Sequence, residues 1–368
     1  MQIRAAVARA VGAPFTFETV DLEEPRSDEV LVRMVASGIC HTDIAMRDHR
    51  IYPVPHPIVL GHEGAGIVER IGSAIEHVQV GDRVVLSANS CGQCACCAQG
   101  MPAYCPRFNE TNFGGSRLDG TSPIRCNGSK VHYYQSQSSF ATHAIAHRRN
   151  AIKMPGDVPL HLLAPLGCGV ITGAGAVLNA LRPKTGQSLA VFGTGSVGLS
   201  AVMAAKLMGA GPIFAVDVLQ SRRELARSLG ADISIDPNAV SAREVIWDRS
   251  GGGVDFSLDT TGNMIVLREA IEVLAPRGCC GFVGGAPSGA QLAIDAERMM
   301  TRGQRLRGII LGDANAATFL PKLAQLHCRG RFPLDRLVTC FAFEEINRAV
   351  DEMQRGHVIK PVLTFSPS

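Results

Sequence analysis

The chain contains 368 residues, of which 46% are hydrophobic and 19% are charged. This composition is typical of folded globular proteins, and the length predicts two domains rather than one. The net charge is +3, from 36 basic and 33 acidic residues without a long block of one sign. This balance argues against nucleic acid or an anionic membrane as the partner and favours a small molecule.

Signals for export or membrane insertion are weak. No apolar run reaches the roughly 20 residues of a membrane span, and the segment MQIRAAVARAVGAPF lacks the apolar core and cleavage site of a signal peptide. We therefore expect a cytoplasmic protein. Four of the twelve cysteines fall in one tract, CGQCACCAQGMPAYC, which favours metal binding over a disulfide framework.

The first part of the chain consists of short extended segments separated by glycine. From Glu29 to about Asp82, the segments EVLVRMVASG, GHEGAGIVERIG and GDRVVLSA predict antiparallel strands.

From about Ser188 the pattern changes to an apolar strand, a glycine turn and a helix, repeated. SLAVFG, PIFAVD, VDFSLD and CCGFVGG predict strands, and SVGLSAVMAAKLMGA and SRRELARSLGA predict helices. This order predicts a parallel βαβ sheet. After Gly308 we expect helices around FLPKLAQLHCRG and FEEINRAVDEMQRG and a final strand, IKPVLTF, which return to the first domain.

The predicted fold class is therefore α/β, with a discontinuous β-rich domain and a second domain built on a doubly wound parallel sheet. The expected boundaries are 1–169 with 311–368 for the first domain and 170–310 for the second.

The cysteine tract predicts a structural zinc site. Its four ligands are expected to be Cys91, Cys94, Cys97 and Cys105, at intervals of three, three and eight residues. This loop spacing lets four thiolates surround one tetrahedral zinc, and such a closed site has no position for a substrate. Cys96 lies in the same loop and is left out of the ligand set.

The stretch GTGSVG, from Gly193 to Gly198, follows an apolar strand and opens a helix. Its glycines, Gly195 included, let backbone N–H groups approach a pyrophosphate at the helix N-terminus. Asp217 ends the next strand, where a carboxylate can accept the ribose hydroxyls and repel the additional phosphate of NADP, so NAD is expected. Arg222 either contacts the adenosine ribose or is solvated.

A second set of metal-binding residue types is scattered along the chain. GICHTD contains Cys40, GHEGAG contains His62 and Glu63, and PLGCG contains Cys168. A catalytic zinc needs protein ligands and one open position. The spacing of these residues does not by itself bring them together.

In this order, GICHTD, GHEGAGIV, the four-cysteine tract, LGCGVITGAG and GTGSVG resemble the zinc-containing medium-chain alcohol dehydrogenase family over nearly the whole chain. The resemblance implies a GroES-like first domain, a Rossmann second domain, two zinc ions per chain, NAD, and a homodimer or homotetramer. It also implies that Cys40, His62 and Cys168 bind the catalytic zinc, with Glu63 able to approach the metal during ligand exchange.

Within that family, CHTD, YPVPHPIVLGHEG, NFGG, DGTSPI and QSSFATHA are similar to the aryl-alcohol (benzyl alcohol) dehydrogenase branch. This similarity implies the oxidation of aromatic or allylic primary alcohols to aldehydes.

The same resemblance assigns roles around the substrate proton. Thr42 matches the hydroxyl that takes the proton, and Asp43 matches the carboxylate that orients a zinc-bound histidine. Many members carry a relay histidine three residues after the hydroxyl, where this chain has Ala45. His41 is the nearest alternative base, although the family also places this position against the pyrophosphate, and His49 is a remoter alternative.

The resemblance further implies Thr172 and Val197 beside the nicotinamide and Lys360 as a cation for the pyrophosphate. The residues expected to select the substrate are Ile51, Tyr52, Ser87 and those near Phe113.

Two other functions stay open. The first is an enzyme of the same fold acting on S-hydroxymethylglutathione, whose carboxylates require basic residues such as Arg107 and Arg117 at the pocket mouth. The second is a non-catalytic dinucleotide sensor that keeps the zinc lobe for stability, against which the complete ligand set argues.

Overall fold

A computed structural model gives the fold of residues 1–156 and 158–366. The chain divides into two units, Met1–Cys168 with Asn315–Ser368 and Gly169–Ala314. The predicted first domain also includes residues 157, 367 and 368, which lie outside the described residues.

The first unit begins with a strand-rich segment. Its strands are β1 (Gln2–Ala8), β2 (Thr16–Leu22), β3 (Glu29–Gly38), β4 (Ile58–Val59), β5 (Glu63–Ile71), β6 (Arg83–Leu86), β7 (Ile124–Cys126), β8 (Ser129–Tyr133), β9 (His143–His147) and β10 (Ala151–Lys153). Its helices are short: α1 (His41–Arg47), α2 (Ala95–Ala98), α3 (Phe108–Phe113) and α4 (Leu160–Leu163), with 3₁₀ turns at Pro102–Tyr104 and Ala164–Gly167.

The second unit alternates helices and strands. They are α5 (Gly169–Gly175), a π-helical turn (Ala176–Leu181), β11 (Leu189–Phe192), α6 (Ser196–Met208), β12 (Ile213–Val216), α7 (Gln220–Leu229), β13 (Ile233–Ile235), α8 (Ala242–Ser250), β14 (Val254–Asp259), α9 (Met264–Glu272), β15 (Leu274–Phe282), α10 (Ala296–Thr301), β16 (Arg305–Gly308) and a 3₁₀ turn (Leu311–Asp313).

The chain then returns to the first unit. This last segment contains α11 (Ala316–Cys328), β17 (Val338–Ala342), α12 (Ile346–Gln354) and β18 (Lys360–Thr364), with 3₁₀ turns at Leu334–Arg336 and Phe343–Glu345.

Two β structures form the first unit. Strands β1, β2, β7, β8 and β4 form a closed barrel, and the other sheet has the order β10-β6-β5-β3-β18-β17, with β9 paired to β3. The predicted antiparallel pattern is confirmed, since β3 pairs antiparallel with β5, and β5 with β6. The terminal strand β18 pairs antiparallel with β3, with Val362 opposite Gly38, so the chain end is fixed beside the start of α1.

The second unit contains a six-stranded sheet of order β13-β12-β11-β14-β15-β16. Every adjacent pair is parallel, and β11 and β12 are buried along their whole length. Strands buried on both faces read as continuous apolar runs, which is why SLAVFG and PIFAVD predicted them. This order is that of a Rossmann sheet, so the predicted α/β class is confirmed.

No single helix in the described ranges is long and apolar enough to cross a membrane. One bent pair, Leu160–Gly167 with Gly169–Leu181, meets the length and composition criteria together, as buried helices of a protein core also do.

Candidate active site and metal centres

The four cysteines of the tract converge in space. The ligand atoms of Cys91, Cys94, Cys97 and Cys105 all lie within 4.8 Å of one another. The loop between them turns at Gly92 and Gly100, with φ of 77° and 76°, a backbone conformation that favours glycine. Cys96 is not part of this group of ligand atoms.

The donor set of this lobe fits zinc. Four thiols around one point match a closed tetrahedral Cys₄ site. Backbone N–H groups, that of Gln93 above all, lower the pKa of the Cys91 thiol to about 6, which favours the thiolate that zinc binds. Arg149 lies against Gly92, where an added Cβ would stand 2.8 Å from its Nη1, and its Nε donates to the carbonyl of Ser90 at 2.7 Å.

A second group brings together the scattered residues. The ligand atoms of Cys40, His62, Glu63 and Cys168 also lie within 4.8 Å of one another. Cys40 is the residue before α1, and His62 and Glu63 lie at the start of β5. Cys168 follows the 3₁₀ turn Ala164–Gly167. Element ends therefore supply all four side chains.

Asp43 holds two of these residues in place. Its Oδ1 lies 2.8 Å from His62 Nδ1 and accepts the N–H of Gly61 at 3.1 Å, and its Oδ2 accepts the N–H of Cys40 at 3.0 Å. Because a carboxylate has only acceptors, Nδ1 of His62 carries the proton. The imidazole therefore presents Nε2 to the group.

The geometry fits a metal ion. His62 Nε2 is buried and, in the part of the chain described, has no hydrogen-bond partner, although buried polar atoms are normally satisfied. The hydrogen bond that joins the two thiols lowers the pKa of Cys40 well below its usual value and raises that of Cys168. Two thiols and one free imidazole nitrogen form a Cys₂His set, the ligand set already known for the catalytic zinc of alcohol dehydrogenases.

The residues expected to move the proton lie on α1. The Thr42 hydroxyl lies 3.5 Å from Cys40 Sγ, and His41 is exposed one residue before it. Ala45, at the position where many family members carry a relay histidine, is buried. His49 Nε2 lies 2.8 Å from the carbonyl of Val54, so His49 is tied to its own loop.

We call Cys40, His62, Glu63 and Cys168 the Cys40 group. Lys360 lies next to this group and is only 2% exposed. Its Nζ donates to both Glu63 oxygens, at 2.9 and 3.0 Å, and to the carbonyl of Ile39 at 3.1 Å. Burial alone would lower the pKa of Lys360, but the charge of Glu63 outweighs it and raises that pKa above its ordinary value. The expected pyrophosphate contact requires Lys360 to leave this pair, so it stays a prediction.

A row of aromatic rings leads away from His62. The ring centroids are 5.7 Å apart between His62 and Tyr134, 6.1 Å between Tyr134 and Phe113, and 5.9 Å between Phe113 and Tyr52. Tyr134 is fully buried and Tyr52 is 37% exposed. Sequence reasoning missed Tyr134, because nothing in the run YYQSQSS marks one tyrosine as adjacent to a metal ligand. We call these three residues, Tyr134, Phe113 and Tyr52, the aromatic row.

The other two expected substrate residues contact different parts of the first unit. Ile51 packs against the barrel core. Ser87 is buried, and its hydroxyl donates to the carbonyl of Gly167 at 2.7 Å.

The glycine turn of the second unit fits a dinucleotide. Gly193 has φ of 83°, and a Cβ on Gly198 would lie 1.9 Å from the carbonyl oxygen of Gly193, so this glycine allows α6 to approach β11. Gly195, the residue before α6, faces open space on the side where a Cβ would stand. A helix N-terminus with this clearance is suited to a pyrophosphate.

Asp217 follows β12 and is buried beside this turn. Its Oδ2 accepts the N–H of Thr194 at 2.7 Å and its hydroxyl at 3.0 Å. Arg222, on α7, has a buried Nε without a hydrogen-bond partner in the described segments. Of the residues expected near the nicotinamide, Thr172 is buried on α5 and Val197 lies in the first turn of α6.

The arginines that would serve glutathione are engaged elsewhere. Arg117 is buried and donates to Glu29 at 2.6 and 2.9 Å and to Glu23 at 2.9 Å. Arg107 forms a paired contact with Glu110, with both bonds at 2.8 Å. Both guanidinium groups are therefore neutralised by carboxylates of this chain, which does not favour the binding of glutathione carboxylates.

Comparisons with known proteins agree with this architecture. The family described as the alcohol dehydrogenase GroES-like domain matches residues 26–156, and the zinc-binding dehydrogenase family matches residues 196–325. Geraniol dehydrogenase of Castellaniella defragrans is 44% identical over 98% of this chain and 97% of its own length.

Two solved structures align with this chain over 100% of its length and over 100% of their own. The benzyl alcohol dehydrogenase of Acinetobacter calcoaceticus has a TM-score of 0.96 at 41% identity, and an alcohol dehydrogenase zinc-binding domain protein from Burkholderia ambifaria has 0.98 at 48%. With both domains, both cysteine-containing groups and the glycine turn in place, this chain belongs to the zinc-containing medium-chain alcohol dehydrogenase family.

Proposed function

We propose that this alcohol dehydrogenase oxidises aromatic and allylic primary alcohols to aldehydes with NAD. The observation that carries the substrate class is the aromatic row, because its inner ring, Tyr134, packs on His62 and its outer ring, Tyr52, is exposed. Aromatic rings this close to the Cys40 group suit a flat alcohol whose oxygen reaches that group. The names of two relatives, geraniol dehydrogenase and benzyl alcohol dehydrogenase, agree with this class.

Cys40, His62 and Cys168 are proposed to hold a catalytic zinc, and the four-cysteine lobe a structural one. When bound, the catalytic zinc supplies Lewis acidity to the alcohol oxygen and NAD accepts the hydride of the carbinol carbon. Asp43 keeps the proton on Nδ1 of His62 and so leaves Nε2 for the metal.

NAD is proposed to bind at the turn Gly193–Gly198. The carboxylate of Asp217 suits the two ribose hydroxyls and disfavours a phosphate on either of them, so NAD is preferred to NADP. Arg222 is proposed to contact the adenosine ribose, and Thr172 and Val197 the nicotinamide.

The substrate proton is proposed to pass to the hydroxyl of Thr42. The contact of Thr42 with Cys40 Sγ at 3.5 Å supports this role, since Cys40 is a proposed ligand of the catalytic zinc. His41, exposed at the first position of α1, carries the proton onward in place of a histidine at Ala45.

A substrate panel tests the proposal. NADH formation at 340 nm is followed with benzyl alcohol, geraniol and ethanol, each with NAD and with NADP. We expect kcat/KM to be highest for the first two alcohols with NAD, and Tyr134→Ala to reduce this advantage over ethanol. Cys40→Ser is expected to abolish turnover, whereas the matched control Cys96→Ser, outside both ligand groups, retains it.

Two results would contradict the proposal. Activity with formaldehyde only when glutathione is present would support the S-hydroxymethylglutathione alternative. Tight NADH binding without turnover of any alcohol would support the dinucleotide sensor.

The proposal also covers the oligomeric state and the cellular location of the protein. We infer a homodimer or homotetramer, to be measured by native mass spectrometry. We also infer a cytoplasmic location, which agrees with the finding that none of the twelve cysteines, all of them among the described residues, forms a disulfide, since disulfides are rare in that reducing compartment.

A further inference from the structure

The carboxylate of Glu63 lies between the ammonium of Lys360 and the proposed metal position. Its oxygens accept hydrogen bonds from Lys360 Nζ at 2.9 and 3.0 Å, and one of them is among the ligand atoms grouped within 4.8 Å. A Cβ on Gly38 would lie 2.0 Å from Oε2, so the carboxylate packs directly on that glycine. The same carboxylate therefore adjoins both Lys360 and the proposed metal position.

The backbone fixes Lys360 in this position. It is the first residue of β18, and the N–H of Ile39 donates to the carbonyl of Pro361 at 2.9 Å. The third donor position of the ammonium is used by the carbonyl of Ile39. An ammonium has three donors, and all three are engaged.

Charge balance favours the ion pair over metal coordination. Zinc with the thiolates of Cys40 and Cys168 is neutral, so the charge of buried Glu63 needs a cation of its own, because unpaired buried charge is strongly unfavourable. Lys360 supplies it. Without that cation, the metal is the nearest positive charge, and four protein ligands would make a closed site of the structural type.

We propose that Lys360 is a positioning residue that keeps Glu63 away from the catalytic zinc and thereby keeps the fourth coordination position open for the alcohol oxygen. This inference rests on the proposed metal site at Cys40, His62 and Cys168.

Cobalt substitution tests it without relying on turnover. The catalytic zinc is replaced by Co²⁺, and imidazole is titrated while the thiolate-to-cobalt and d–d bands report ligand binding at the open position. We expect Lys360→Met to weaken imidazole binding by about tenfold or more, because Glu63 then occupies that position, a loss typical of changes to residues that orient metal ligands. Lys360→Arg retains a cation and is expected to bind imidazole as the wild type does.

A second substitution separates the effect from misfolding. In Lys360→Met with Glu63→Gln, both buried charges are removed and an amide replaces the competing carboxylate, so imidazole affinity is expected to return. Lys153→Met is the matched control, since Lys153 lies in the same sheet and pairs with Asp82 at the surface. Its cobalt spectrum should not change.

The possible outcomes separate a failure of the role proposed for Lys360 from a failure of the proposed metal site. If the wild type shows no thiolate-to-cobalt band, or the double variant Cys40→Ser with Cys168→Ser retains it, the proposed catalytic metal site is overturned and the inference with it. If the band is present and Lys360→Met binds imidazole as tightly as the wild type, only the inference is overturned. If Lys360→Met also raises the KM for NAD while it binds imidazole as the wild type does, Lys360 would instead be assigned to binding the pyrophosphate of NAD.

Discussion

Asp43 shows how one side chain can set a metal site. It accepts hydrogen bonds from His62, Gly61 and the backbone of Cys40, so both carboxylate oxygens are engaged as acceptors. Asp43→Asn replaces one acceptor with a donor and leaves one of these N–H groups unsatisfied in a buried environment. We expect the affinity of the Cys40 group for zinc to fall about 10- to 100-fold.

Zinc retention during titration with a chelator measures this effect. The four-cysteine lobe should retain its ion while the Cys40 group releases its own. Asp48→Asn is the control, because Asp48 ends the same helix but pairs with Arg47 and Arg50. Equal zinc loss in both variants would mean that α1 as a whole, rather than Asp43, holds the ligands.

The route of the substrate proton is also decided by single residues. His41 is the first residue of α1, next to Thr42, whereas His49 follows the helix and its Nε2 lies 2.8 Å from the Val54 carbonyl. If His41 is the base, His41→Gln should reduce kcat and remove the ionisation near neutral pH from the kcat profile. His49→Gln should leave both unchanged, and a wild-type pH profile and turnover in His41→Gln would rule this role out.

At the scale of elements, two glycines in the turn between β11 and α6 have different roles, one in folding and the other in the proposed binding of NAD. Gly198→Ala places a Cβ 1.9 Å from the carbonyl oxygen of Gly193, so α6 must shift, at a cost of about 1–3 kcal/mol. Gly195→Ala meets nothing within 4 Å. Gly195 is the N-cap of α6, where alanine is a poorer cap than glycine, so the variant should lose no more than about 1 kcal/mol of stability, yet weaken NADH binding by occupying the space proposed for the pyrophosphate.

Urea unfolding and NADH titration distinguish the two variants. Trp247 is the only tryptophan of the chain, so its fluorescence can report NADH binding by energy transfer. Unchanged NADH affinity in Gly195→Ala would mean that the pyrophosphate does not bind at this turn.

The arrangement of the elements also explains which parts of the candidate site the sequence could predict. The four-cysteine lobe and the glycine turn each lie within one loop or one strand–helix unit, so their spacing carries their geometry. The Cys40 group has no such local signal, because its ligands follow different elements, and only family resemblance joined them. Lys360 and Glu63 lie 297 residues apart in sequence. Their pairing depends on β18 lying beside β3, which no short pattern encodes.

At the scale of the whole molecule, buried histidines link stability to pH. Burial lowers the pKa of His56, His132 and His143, and burial with the charges of Arg148 and Arg149 lowers that of His147 to about 4. The neutral form is also favoured because Nδ1 accepts the N–H of Arg149 at 3.1 Å, whereas Asp28, 3.1 Å from Nε2, opposes the lowering of the pKa without cancelling it. A proton on Nδ1 would break the first of these bonds.

His147 therefore destabilises the folded state as the pH falls. Below pH 6.5 the unfolded chain binds a proton at this residue and the folded chain does not until about pH 4, so the free energy of unfolding decreases across this window, by up to about 3 kcal/mol. His147→Asn keeps an acceptor for Arg149 but cannot titrate. Urea unfolding at about pH 7 and about pH 5 should show a smaller acid loss in this variant than in the wild type. The control His357→Asn changes an exposed histidine at the end of α12, and an acid loss in His147→Asn as steep as in the wild type would contradict the prediction.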